Sequence, residues 1–320
     1  MNPPKYGKVF ITIKPFYGPY VPDSIKNNLN TMLRKYSVAG IVTEILDLKY
    51  LYVEAHINAY YKPSLASNSD SVKAVVSNNI TTYSDSSEMN KYGAKFKYSK
   101  FQAVVDNSND SITSNITKIE IRRNLRPLLN QNAEYELCFG NAFYIKNNNG
   151  YNIKTSGFNI FGIADTVYLS DSPNEDGTSG TLFLFTLTSR NNPTIVSNNI
   201  GSIDYQKGEV LIKPINIINT SKKVQNIPIV EVSACPKSND VIGLQDLYLQ
   251  LDVNNSTIDM VADNITSGDN TAGTLYTATS SYMVGDIARL TEAEKANTSL
   301  LSSDTYVVAS SRMPQSAPQY

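Results

Sequence analysis

The chain has 320 residues, 41% hydrophobic and 18% charged, which is long enough to bury more than one hydrophobic core. Its 28 Lys plus Arg nearly balance 29 Asp plus Glu, for a net charge of −1, and this excludes a bulk electrostatic attraction to nucleic acid or to an anionic membrane. No apolar run is long enough for a membrane-spanning helix, and the first residues carry none of the marks of a signal peptide.

The opening Met-Asn-Pro-Pro-Lys runs almost at once into a strand, as expected of a fragment of a longer chain. Val9, Ile11 and Ile13 alternate in that strand. Val21, Ile25, Leu29, Met32, Leu33 and Tyr36 then recur at helical spacing, with Pro22 suited to the first turn and Gly40 just past the end. From Leu51 to Tyr61 the apolar residues Leu51, Val53, Ala55, Ile57 and Ala59 alternate with Tyr52, Glu54, His56, Asn58 and Tyr60. Strict alternation predicts a long strand with one buried and one polar face. The order strand, helix, strand, strand predicts a helix packed on the buried face of a small sheet.

A Ser/Asn-rich linker follows Lys62-Pro63, and a second helix is expected, capped at Ser69 or Asp70 and carrying Val72, Val75, Val76 and Ile80. A short helix starting at Ser99 and a strand with Ile119 and Ile121 opposite Lys118, Glu120 and Arg122 complete an α+β domain over residues 1–127. From Asn132 the helical period vanishes. Short apolar runs separated by Asn, Gly and Ser turns predict a β-sandwich or barrel-like domain over 132–252, including a hairpin at Gly201–Ile212 that turns at Gly208. Residues 253–320 read as an extended polar arm that is too polar to fold alone. The expected fold class is therefore α+β: a helix-on-sheet domain, a β-rich domain and a C-terminal arm.

Residues capable of chemistry are sparse. His56 is the single histidine and reads as an exposed or interface residue, which excludes multi-histidine metal sites. Cys138 and Cys235 read as two reduced thiols. Ser172–Gly177 lacks the ligand pattern of a calcium loop and reads as a turn at Asp176-Gly177. Lys91, Lys95, Lys97 and Lys100 interleave with Tyr92, Phe96, Tyr98 and Phe101. That pattern could grip a single strand of nucleic acid, but a solvated loop or protein contact is preferred because no wider basic field supports it. No catalytic residue, metal or cofactor is expected. A carbohydrate-binding or adhesin β-module, or a hydrolase using carboxylates, are the alternatives.

The stretch Gly7-Lys8-Val9-Phe10-Ile11-Thr12-Ile13-Lys14-Pro15, the Val21–Tyr36 helix, Val42–Tyr61 and the hairpin Ile203-Asp204-Tyr205 to Gly208-Glu209-Val210 together resemble the baseplate J-like family of contractile injection machines, in particular the carboxyl-terminal half of the baseplate wedge proteins of T-even-like bacteriophages. The resemblance implies a late structural protein without an enzyme site, carried in the virion tail baseplate and assembled in the host cytoplasm. It implies contacts with other wedge subunits and between paired copies, joined into a ring that holds through contraction. Tyr52 and Tyr60 on the polar strand face, and Leu275, Tyr276, Tyr282 and Met283 in the arm, are the candidate interface of a symmetric homodimer, since tyrosine couples large apolar area to a polar tip.

Overall fold

The computed structural model describes residues 7–38, 40–66, 68–145, 151–187, 193–244, 247–263 and 288–291. The first elements are β1 (Lys8–Thr12), α1 (Asp23–Arg34), β2 (Val42–Leu46), β3 (Lys49–Tyr61) and α2 (Ser69–Ser84). They are followed by β4 (Lys95–Phe96), α3 (Tyr98–Asp106), β5 (Ile112–Leu125), β6 (Asn132–Cys138), β7 (Lys154–Thr155) and β8 (Phe158–Ile160). The rest is strand: β9 (Val167–Pro173), β10 (Ser179–Leu187), β11 (Pro193–Asp204), β12 (Glu209–Thr220), β13 (Lys222–Val224), β14 (Ile227–Ala234), β15 (Val241–Ile242), β16 (Leu247–Leu251) and β17 (Thr257–Ala262).

Two bodies of sheet dominate, and the chain is mostly β. The central sheet runs β13-β14-β5-β3-β16, with β7 also on β14 and β17 also on β3. β16 and β17 lie end to end along β3, both parallel to it, covering Lys49–Val53 and His56–Tyr61 respectively. The second body is a barrel. Strands β11, β10, β9, β8 and β12 follow one another and close through a β11–β12 pairing, while β6 adds to β12 outside the ring. Closure removes the exposed edges that so many short Asn- and Ser-rich strands would otherwise present.

Leu51, Val53, Ala55, Ile57 and Ala59 are fully buried, as their alternation predicts. They do not lie under α1, which was expected to cover them. Val72, Val76 and Ile80 of α2 and Phe101 and Val105 of α3 join them and β5's Ile119 and Ile121 in one core. α1 buries no residue and sits with a separate two-stranded parallel sheet, β1–β2. Asp47 and Leu48 break the run from Val42 to Tyr61 into two strands that serve different sheets.

The caps also differ from those read locally. Asn68, not Ser69 or Asp70, caps α2 by accepting the Asp70 N–H at 3.0 Å. The Tyr98 N–H of α3 is satisfied by Asp240 at 2.9 Å, a partner no local window contains.

The expected borders at 127, 132 and 252 do not separate sheets. β14 and β16, read as strands of the β-rich domain, pair with β5 and β3 of the first sheet. Thr257–Ala262, assigned to the arm, is a strand of that same sheet. The reason is visible in the pairing: β3 and β5 are long, 13 and 14 residues, and both leave edges that only later strands can fill. The barrel is thus inserted between β5 and β14.

Candidate functional site

The polar face of β3 is where the charges converge. β3 and β5 are antiparallel, and their register sets Tyr52 opposite Arg122, Glu54 opposite Glu120 and His56 opposite Lys118. Two glutamates directly opposed on one sheet face repel, so this pairing requires cations. Arg122 supplies the first, with Nε 2.5 Å from Glu54, Nη1 3.2 Å from Glu231 on β14, and Nη2 on Asp252 just past β16. Its guanidinium also lies over the Tyr52 ring, 4.3 Å from the centroid. Lys154 of β7 approaches Glu120 at 3.4 Å, and Lys222 of β13 reaches Glu231 at 2.7 Å.

The last cation comes from far along the chain. Arg289 forks onto both Glu54 oxygens at 2.8 and 3.0 Å, and its Nε lies 3.2 Å from Glu231. Glu120 is 3.8 Å from its Nη1. Glu54, Glu120, Glu231 and Asp252 are matched one for one by Arg122, Lys154, Lys222 and Arg289, so the cluster is neutral. Burial pushes the Glu120 carboxyl up, but Lys154, His56 and Arg289 outweigh it and hold it below its usual range. Glu231 is likewise held down against burial by Arg122, Arg289 and Lys222. Burial pulls the Arg122 guanidinium down, and Glu54, Glu231 and Asp252 more than reverse it. Such a network is costly to desolvate and depends on every member being matched.

His56 sits at the rim of this cluster, Nδ1 3.0 Å from Thr257 Oγ1. Ligand atoms of Glu54, His56 and Glu120 lie within 4.8 Å of one another, an arrangement of metal-ligand type. Their carboxylates, however, already hold Arg122, Lys154 and Arg289. A divalent ion would bring two charges into a cluster that is already balanced, so the donor set does not fit one.

Tyr52 and Tyr60 do not form an outer aromatic face. Both are buried within the chain, and Tyr52 is packed with Leu48, Tyr50 and Tyr248 and lies under the Arg122 guanidinium. Leu275, Tyr276, Tyr282 and Met283 lie outside the described residues. Cys138 is half-buried and Cys235 buried, and the two are not joined by a disulfide. Asp176 forms the expected turn, accepting the Thr178 N–H at 2.9 Å. Phe96 and Phe101 of the lysine-aromatic stretch are fully buried, while Lys97 and Lys100 pair with Asp240 and Glu88. Tyr92 is half exposed and packs edge-on against Tyr248.

The N-terminal unit is the opposite case. Phe16, Tyr17, Tyr36 and Val38 are 91%, 83%, 81% and 72% exposed, and Ile25 and Met32 of α1 are about half exposed. An open cleft of about 530 Å³ lies between α2 and α3, lined by residues such as Asn79, Tyr83, Lys100 and Asn107. It gathers no carboxylates.

A second buried acid stands in the barrel. Asp171 of β9 accepts the Ile153 N–H and the Tyr205 hydroxyl, each at 2.5 Å, and burial pushes its carboxyl up to about 6 from 3.8. The folded protein therefore holds this proton more tightly than the unfolded chain, and the acid's contribution to stability falls as pH rises from about 4 through 6. Asp171→Asn should flatten that slope and be the more stable of the two at pH 7.5 by about 1–2 kcal/mol. Urea melts of parent and variant at pH 4.5 and 7.5 check this; an unchanged difference between the two pH values would refute it.

Residues 49–124 match the family model described as baseplate structural protein gp6, C-terminal domain III, and residues 1–46 match that of baseplate structural protein gp6, C-terminal domain I. The boundary between the two matches falls at the Leu46–Lys49 break that separates the β1–β2 sheet from the central sheet. No curated protein matches the chain.

Proposed function

We propose that the chain is a member of the gp6 baseplate structural protein family, whose models match residues 1–46 and 49–124, and that it is a subunit of a phage tail baseplate wedge that docks to a second copy of itself and to neighbouring subunits. In this reading paired copies form the ring contacts that keep the baseplate intact through contraction. It is assembled in the host cytoplasm and carried in the virion.

The observation that carries the reading is the unfinished N-terminal unit. A two-stranded parallel sheet is rarely stable by itself, and parallel sheets are ordinarily covered on both faces. Here β1–β2 has a single helix, and that helix buries nothing completely. Together with the bare rings of Phe16, Tyr17 and Tyr36, it presents the kind of apolar surface that marks a protein contact. The homodimer interface is assigned to this unit, in place of Tyr52 and Tyr60, and should bury more than about 1,000 Å² in total.

The hydrolase alternative needs free carboxylates in a cavity, whereas those that converge here, Glu54, Glu120 and Glu231, are held by cations inside the fold. Mass measurement in solution over a range of concentrations tests the proposal. The parent chain should be a dimer at tens of micromolar. Phe16→Ser with Tyr36→Ser and Val38→Ser should shift it to monomer while leaving the far-UV circular dichroism spectrum unchanged, since these side chains are exposed. A monomeric parent, or a triple variant with unchanged mass, would count against it.

A further inference from the structure

The segment Ala288–Thr291 meets the rest of the protein on two surfaces at once. Its Arg289 N–H donates to the Thr155 carbonyl at 2.9 Å, and Arg289 forms an isolated parallel bridge with Ser156. The guanidinium enters the cluster of the central sheet, while Ala288 is buried among Tyr168, Phe183 and Phe185 of the barrel and Leu290 packs beside it. The socket is built for one side chain. Arg122 is already engaged with Glu54, Glu231 and Asp252, and Lys154 and Lys222 with one glutamate each. Without Arg289 four carboxylates would face three cations, leaving one buried negative charge unmatched.

The geometry also selects arginine. Three separate nitrogens of one planar fork address Glu54 twice and Glu231 once, with Glu120 close by. A lysine ammonium is a point charge and cannot span those directions. The site combines what peptide-docking grooves use: strand pairing for affinity, a charged pocket for one side chain and apolar contacts on either flank.

We propose that Glu54, Glu120 and Glu231 form an arginine-reading docking socket for an extended peptide segment, that its occupant is this chain's own Ala288–Thr291, and that this segment clasps the barrel to the central sheet through its contacts and not through its covalent tether. The proposal is independent of the dimer. Residues 264–287 join the segment to β17, and cutting them leaves every contact named above in place.

The test uses the full chain with a recognition sequence for a site-specific protease inserted between Asp263 and Ala288, cleaved after folding and passed over a size-exclusion column. The C-terminal fragment should co-elute with the body of the protein. Arg289→Ala should release it, and Arg289→Lys should weaken its retention by about tenfold or more. Leu290→Ala, which leaves the buried charges matched, should also weaken retention and guards against a misfolded Arg289 variant. Near-UV circular dichroism checks that each variant is folded before cleavage. Loss of the fragment from the cleaved parent, or equal retention by the folded Arg289→Ala protein, would overturn the proposal.

Discussion

Arg122→Ala is expected to destabilise the protein by about 3–5 kcal/mol, the range found when one partner of a buried ion pair is removed and the other is left uncompensated. The side chain is 3% exposed and holds carboxylates from β3, β14 and the turn after β16. Removing it strands Glu54, Glu231 and Asp252 with one cation too few and takes the guanidinium from the Tyr52 ring. Glu54→Gln in the same background restores the charge balance and should recover part of the loss, so the double variant should cost less than the sum of the two singles. Chemical denaturation of the four proteins gives the coupling directly. A single-variant cost below about 1 kcal/mol, or strict additivity, would show that the cluster does not act as a unit.

Gly201→Ala should cost about 3 kcal/mol, the upper end of what overpacking does, although it adds one methyl group. Gly201 lies where the barrel closes, opposite Leu182 on β10 and Ile212 on β12. A Cβ there would fall 2.1 Å from the Leu211 carbonyl oxygen and 2.9 Å from Leu182 Cδ1. The leucine methyl can rotate away, but the carbonyl is backbone of the partner strand, so β11 and β12 must separate. Limited proteolysis should then cut the barrel strands of the variant under conditions where the parent resists. A variant within about 1 kcal/mol of the parent would mean that the closing ladder is slack.

Much of this architecture can be read locally. Alternation located β3 and named its buried face. Helical spacing located α1 and α2, and the Gly201–Ile212 hairpin turns at Gly208, whose φ of +69° suits glycine. What local pattern could not supply is the fate of the other face of β3. Tyr52, Glu54 and His56 look like a solvated face because the residues that cover them are scattered over Arg122, Lys154, Glu231, Asp252 and Arg289. Each of those reads alone as an ordinary surface charge. One signal was present: two neighbouring strands, β3 and β5, both carry Glu at positions that an antiparallel pairing sets opposite each other. That juxtaposition calls for buried cations. The misplaced cover of β3 has the same origin, since the helix nearest in sequence was α1 and the helices that pack there come later.

The completion of β3 by two strands in tandem also sets a clock. Ala55 is bonded to Ser256 and His56 to Thr257, in each case 201 positions apart. At a synthesis rate of about 5–20 residues per second, β3 leaves the ribosome roughly 10–40 s before the strands that finish its edge. The barrel strands between them emerge first and can close while that edge is still open. An open strand edge is a template for any other chain, and nascent copies on one message carry identical edges within reach. The yield of native protein at high expression should therefore fall as more nascent copies wait side by side with this edge open, and slowing initiation, which spaces the copies along a message, should raise it even in variants whose finished fold is no more stable.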